Sequence, residues 1–293
     1  MNTTKPLFTN GQLVQVQTKD GIALHGFLNG PDKKTKKLFL LTHGAISNFY
    51  ISTKNCYLEN VALNKGYAFL TVNNRGRDYY ARRELIADCL LDFDAWINFI
   101  LKRRYTEIIF CGSSLATHKI VYYITRKKIA NIKKLILIAP SDNIGLWKKH
   151  VQEKAQYWLD YAKNLIEEGK EDQLMPREAY PRRLHARTYY DRYRKDSLLH
   201  TWDFHDQKFD PSISFRIKSE QGQKLDFGLV KRVKLPTLIV TGDKDEYIED
   251  HYENMRRLEE MNDCIKTKVV KGAPHSFEGY EKELANIVRK FVS

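Results

Sequence analysis

The sequence lacks any run approaching the roughly 20 consecutive apolar residues that a membrane-spanning helix needs, so no membrane span is expected. Its opening, "MNTTKPLFTN", has no apolar core of the kind a secretory signal carries, which points to an intracellular, cytoplasmic protein. Cysteine is scarce: Cys56, Cys89, Cys111 and Cys264 are scattered without paired spacing. That pattern argues against a disulfide framework and a zinc site, and for buried, reduced thiols. No cluster of metal ligands, internal repeat or low-complexity tract is present, so neither a metal nor a cofactor is expected.

Acidic charge is also in deficit. Against 49 Lys and Arg stand 36 Asp and Glu, a net charge of +13. Such a balance suits nucleic acid only when a motif gathers it. Here the cations are spread over "DKKTKK", "LKRRY", "RKK" and "PREAYPRR", with no zinc finger, RNP-type strand or basic helix. A solvated basic surface is the plain reading and a preference for anionic substrates the sharper one; nucleic acid is not expected as a partner. Hydrophobic residues at 42% and charged residues at 29% fit a folded globular chain.

The order of patterns sets the architecture. "LVQVQTKDG" and "IALHGFLNG" alternate apolar and polar residues around a turn, which predicts a hairpin. "KKLFLLTHG", "YAFLTVNN", "EIIFCG" and "KKLILIAP" are more continuous apolar runs, as strands covered on both faces require. Helical patterns separate them: residues 52–65, residues 84–103 with Leu85, Cys89, Phe93 and Trp96 on one side, and a helix running to about residue 128. After Pro140 the rhythm breaks. One amphipathic helix is expected over "WKKHVQEKAQYWLDYAKNLIEEGK", followed by an aromatic- and arginine-rich stretch. "LPTLIVTG", a helix near residues 250–261, "IKTKVVKG" and "EKELANIVRKFV" then restore the alternation. The expected fold class is α/β: a mostly parallel, doubly wound sheet formed by residues 1–140 and 235–293, with residues 141–234 inserted as a largely helical cap over the strand ends.

"CGSSLA" lies where a strand turns into a helix, at the carboxyl edge where α/β proteins bind ligands. With Ser114 at the tip, the positions two before and two after are Gly112 and Ala116, small as a tight elbow demands. With Ser113 at the tip they become Cys111 and Leu115, and Leu115 crowds the helix start. Ser114 is therefore the candidate nucleophile, in a G-x-S-x-A variant of the nucleophile elbow. The competing reading is an ordinary helix N-cap, a position serine favours.

Three stretches in this order resemble the α/β-hydrolase superfamily, most closely its capped serine esterases, lipases and thioesterases: "LLTHGAIS", "CGSSLA", and the pair "LIVTGDKDEY" and "VVKGAPHSFEGYE". The resemblance covers nearly the whole chain. It implies a triad of Ser114, His275 and Asp245, with Asp243 shaping a turn and Asp142 an outside alternative for the acid. It implies oxyanion-hole N–H groups on Leu115 and on Ala45, or on Ile46 if the turn differs. The sequence departs from the usual pattern in carrying Ser at position 113, Ala at 116 and no HGGG run.

A serine hydrolase cleaving an ester or thioester through an acyl-enzyme follows as the expected function, with a small-molecule acyl substrate. The alternatives are an acyltransferase or carrier-linked thioesterase, with an acidic carrier domain as partner, and a non-catalytic binding protein on the same fold. His43 is expected to brace the oxyanion loop, His118 to pack, Arg75 to tie loops together, and Glu246 and Glu278 to flank the acid and the histidine. The aromatics Trp147, Trp158, Tyr189, Tyr190, Tyr193 and Trp202 either line a pocket or form the cap's own core. Arg182, Arg183, Arg187, Arg192 and Arg194 among them would suit an acyl or leaving group bearing a carboxylate or phosphate.

Overall fold

The structure, a computed structural model, describes residues 10–30, 34–202, 216–218, 224–226 and 228–293. The ends of several stretches read above, among them the first nine residues and the last residues of the aromatic stretch, lie outside these. β1 (Gln12–Gln17) and β2 (Ala23–Asn29) form the expected hairpin. β3 (Lys37–Thr42), α1 (Lys54–Asn64), β4 (Ala68–Val72), α2 (Cys89–Lys102), β5 (Glu107–Ser113), α3 (Leu115–Arg126) and β6 (Ile132–Ile138) follow. Then come α4 (Asn143–Val151), α5 (Ala155–Glu167), α6 (Ala186–Tyr193) and a short pair, β7 (Arg216–Lys218) and β8 (Lys224–Asp226). β9 (Thr237–Gly242), α7 (His251–Met261), β10 (Ile265–Val270) and α8 (Glu281–Val292) close the chain.

Eight strands form one sheet in the order β1-β2-β4-β3-β5-β6-β9-β10, parallel from β4 to β10 and antiparallel at β1 and β2. Sequence pattern follows position in the sheet. The edge strands β1 and β10 alternate between exposed and buried residues, whereas β4 and β9 are buried throughout, because helices cover the centre on both faces. On one face Leu58 and Val61 of α1 and Leu284 and Val288 of α8 pack with Phe39, Phe69 and Ile109. On the other, Phe93 and Trp96 of α2, Ile120 and Tyr123 of α3, and Leu258 of α7 pack with Leu38, Leu40 and Phe110.

Two element boundaries differ from the sequence reading. α2 starts at Cys89, and Leu85 stands before it in extended backbone; Ile86, not Leu85, is buried. The single helix expected from residue 147 is two, α4 and α5, broken where Gln152 takes φ 50° and a turn of 3₁₀ helix carries the chain to Lys154. Among the cysteines, Cys89 and Cys111 are buried and Cys56 and Cys264 only half-buried, all four as free thiols.

β3 leads outward to β4 and the chain returns to place β5 on β3's other side, so the strand order reverses between β3 and β5. Such a reversal opens a crevice at the carboxyl ends of the strands. His43-Gly44 leaves β3 there and Ser114 leaves β5 beside it.

Candidate active site

Ser114 sits at the corner between β5 and α3 with φ 55° and ψ −126°, a conformation that costs a non-glycine residue backbone strain. The turn is closed by contacts too tight for larger residues. A Cβ on Gly112 would lie 2.5 Å from Ile120 Cδ1 and 3.0 Å from Ala116 Cβ. A Cβ on Gly44 would lie 2.8 Å from Ser114 Cβ. The steric reason for preferring Ser114 to Ser113 is thus visible in the packing: Ser113 is the last residue of β5, in register with Ile138. Ser114 occupies the N-cap position of α3, but its side chain makes no capping hydrogen bond.

Instead the hydroxyl meets His275. Ser114 Oγ and His275 Nε2 are 2.9 Å apart. His275 Nδ1 lies 2.9 and 2.8 Å from the two carboxylate oxygens of Asp245. The Asp245 side chain is fully buried, and its Oδ1 also accepts from the Tyr247 N–H at 2.9 Å. With Asp245 accepting at Nδ1, the other imidazole nitrogen is left facing Ser114 Oγ, the tautomer a proton acceptor needs.

The two other carboxylates have structural partners. Asp243 Oδ1 accepts from the Gly272 N–H at 2.6 Å, tying the end of β9 to the turn that carries His275, and this hydrogen bond holds its carboxyl below the usual range. Asp142 Oδ1 accepts from the Gly145 N–H at 2.7 Å and so caps α4.

The opposite wall is the loop after β3. Ala45 and Leu115 both line the cavity that contains Ser114 and His275, as does Ile46, which has φ 53°. The Leu115 N–H heads α3, where the helix dipole favours negative charge. His43 braces this loop from beneath: its Nδ1 donates to the Gly44 carbonyl at 2.7 Å and its Nε2 accepts from the Asn74 N–H at 3.1 Å. Burial pulls its pKa down to about 4, so the ring is neutral near pH 7. His118 is buried behind the site, with its Nε2 donating to the Ser141 carbonyl at 2.8 Å. Arg75 joins three acidic residues, at 2.9 Å from Asp20, 3.2 Å from Asp88 and 2.9 Å from Asp92.

The sequence reading missed two groups. Tyr247 lays its ring against His275, with centroids 4.2 Å apart and planes 30° from parallel, and its hydroxyl accepts from Arg182 Nη2 at 3.0 Å. Its only sequence signal was its place two residues after Asp245. The second is a buried ionic cluster. Lys119 Nζ meets Glu84 Oε1 and Asn74 Oδ1, and Arg192 Nη2 stands 3.7 Å from Glu84 Oε2. Glu84 fits because residue 76 is glycine; a Cβ there would overlap its carboxylate at 2.1 Å.

The cavity has a volume of about 550 Å³. The two readings of the aromatic residues separate here. Trp147, Trp158, Tyr189 and Tyr193 form a buried cluster of their own with α5, Tyr190 packs against it, and Trp202 joins the core beneath α3. None of the six lines the cavity; Tyr180, Leu184 and Tyr247 do. Of the five arginines, Arg182 and Arg192 line it. Arg183 Nε donates to the Met175 carbonyl, Arg194 pairs with Asp191 and Asp196, and Arg187 borders a separate polar hollow with His185 and Asp172. Glu246 and Glu278 are exposed, and Glu278 lies at the cavity's edge. Among the described residues there is no cluster that could hold a metal ion and no helix long and apolar enough to cross a membrane.

A family model described as "Protein of unknown function (DUF1749)" matches residues 91–293. A search of curated proteins finds no match. Among solved structures, the chain is similar to the Pyrococcus furiosus esterase Pf2001, at 15% identity over 98% of this chain and 91% of that one, with a TM-score of 0.61. It is similar to Est1E from Butyrivibrio proteoclasticus at 17% identity, over 96% of this chain and 97% of that one, with a TM-score of 0.56. It is also similar to DcsB, whose structure holds a substrate analogue, at 15% identity over 97% and 98% of the two chains, with a TM-score of 0.67. Likeness at such identities is likeness of fold, and the fold is that of the α/β hydrolases.

Proposed function

The chain belongs to the DUF1749 family, and we propose that it is a serine hydrolase that cleaves a carboxylic ester or thioester through an acyl-enzyme. One observation carries the reading: a strained serine, a histidine and a buried aspartate joined by hydrogen bonds of 2.8–2.9 Å in one line. The similarity to the Pyrococcus furiosus esterase agrees with it. A serine hydroxyl is a weak nucleophile until a base takes its proton, and His275 Nε2 is within reach to do so.

In the proposed sequence Ser114 Oγ attacks the substrate carbonyl carbon while its proton passes to His275 Nε2. Asp245 stabilises the imidazolium without itself taking the proton. The carbonyl oxygen becomes an oxyanion facing the N–H groups of Leu115 and Ala45, each worth roughly 3 kcal/mol when preorganised. Collapse breaks the bond to the alcohol or thiol, which leaves with the proton from His275. Water, deprotonated by the same nitrogen, then attacks the acyl-serine and releases the acid. Residues 141–234 act as the cap over a core of residues 1–140 and 235–293. Tyr180, Arg182, Leu184 and Arg192 from the cap close the cavity over Ser114 and limit the substrate to a small molecule.

A fluorophosphonate probe with peptide mapping tests this reading. The expected result is a single adduct on Ser114, lost in His275→Ala. No adduct, or one on Ser113, contradicts it.

A further inference from the structure

Arg192 is a buried cation that shares its neighbouring carboxylate, Glu84, with Lys119. Its side chain is 8% exposed, and it lines the cavity that holds Ser114. Nη2 donates to the Ala81 carbonyl at 2.8 Å, while Nε is buried with no hydrogen-bond partner. The carboxylate beside it, Glu84, stands 3.7 Å away, beyond hydrogen-bond reach. That carboxylate is already engaged: its Oε1 accepts from Lys119 Nζ. Its Oε2, the oxygen facing Arg192, has no hydrogen-bond partner. Two buried cations therefore share Glu84, while Asp191, a half-buried carboxylate that acts on Arg192, is engaged by the Ile86 N–H and Arg194. Burying a cation is costly unless it is closely paired. A second guanidinium, Arg182, lines the same cavity, and its described partner is the uncharged Tyr247 hydroxyl.

We infer that the substrate carries a carboxylate, on its acyl or its leaving group, and that Arg192 with Arg182 binds it while Ser114 attacks the ester or thioester carbonyl. The inference rests on the hydrolase reading of the same site. A guanidinium presents parallel N–H groups at the spacing of carboxylate oxygens. The bound carboxylate would add an anion beside the two guanidinium groups that line the cavity. Arg192 and Arg182 would thus set specificity, with no part in the proton transfers.

The test compares 4-nitrophenyl monoesters of glutaric acid, 4-nitrophenyl esters of monomethyl glutarate, and a phosphate-bearing ester of equal length. The wild-type protein is expected to show kcat/KM about ten- to a hundredfold higher for the free carboxylate than for its methyl-capped form, the range of a charged hydrogen-bonded contact. In Arg192→Met, which leaves Lys119 and Glu84 paired, that ratio is expected to fall to about one, with Arg192→Lys between the two. A wild-type ratio at or below one, a ratio preserved in Arg192→Met, or a tenfold preference for the phosphate ester each overturns the assignment. If Arg192→Met does not fold, the wild-type protein still decides. Glutarate should protect Ser114 from fluorophosphonate at concentrations where dimethyl glutarate does not, and equal protection overturns the inference. Absence of any fluorophosphonate adduct would instead refute the hydrolase reading, so the two failures are told apart.

Discussion

The ring of Tyr247 lies on that of His275, 4.2 Å between centroids, so the imidazole is held by a carboxylate at its edge and a phenol on its face. The hydrogen bonds that His275 Nδ1 donates to Asp245 fix one direction of the ring, and the contact with Tyr247 fixes the tilt. Tyr247 is thus a positioning residue, and its backbone N–H also steadies Asp245.

Tyr247→Phe keeps the stack and loses only the Arg182 contact, whereas Tyr247→Ala removes both. Turnover of a neutral ester should fall about a hundredfold in the alanine variant and stay within a few-fold in the phenylalanine variant, because small misplacement of a reacting group costs on that order. Equal losses in both variants would assign the effect to the hydroxyl instead.

Gly44 touches Ser114 more closely than any side chain permits, and Gly112 supports the same turn from below. Gly44→Ala should press on Ser114 Cβ and the Ser113 carbonyl, displacing the loop from Ser114, and should lower kcat about a hundredfold together with a stability loss of about 1–3 kcal/mol. Gly112→Ala meets the flexible end of Ile120 and should cost less stability and less rate. Urea unfolding and steady-state rates on both variants separate the two effects.

Steric rules made this corner legible in the sequence, since the small residues at 112 and 116 pointed to Ser114 without knowledge of the fold. The mostly parallel sheet and its opening hairpin were legible too, because continuous apolar runs mark strands covered on both faces and alternation marks a half-exposed pair. The site's lateral supports were not. Glu84, Lys119 and Arg192 come from three distant segments, and nothing local marks a lysine as buried until its partner is in place. The break between α4 and α5 escaped because Gln152 carries no helix-breaking signature, yet takes φ 50°. The cap aromatics looked equally like a pocket lining and like a core. Periodicity cannot tell these apart; only the direction each side chain faces does.

The ionic cluster makes an asymmetric prediction. Glu84→Gln strands Lys119 and Arg192 without an anion and should destabilise the fold by about 3–5 kcal/mol. Lys119→Met leaves Glu84 beside Arg192 and should cost less. Urea denaturation of the two single variants checks the order, and the reverse order would contradict the sharing of Glu84 by two buried cations.

Acid should weaken the fold through its buried histidines. Burial pulls His43 and His118 from 6.5 down to about 4. Between these values the unfolded chain binds more protons than the folded one. Their contribution is therefore fully present above about pH 6.5 and is lost as the pH falls to about 4. The urea midpoint should fall over that window, and His118→Gln should make the fall shallower. An unchanged slope in His118→Gln would mean that this ring does not take up its proton on unfolding.

The most direct measurement is the turnover of one activated ester by Ser114→Ala and Ser113→Ala beside the wild-type protein. Loss of the hydroxyl that hydrogen-bonds to His275 should lower kcat roughly 10⁴-fold or more, while loss of its neighbour should leave most of the activity. Substantial hydrolysis by Ser114→Ala, or a collapse confined to Ser113→Ala, would contradict the assignment of the nucleophile.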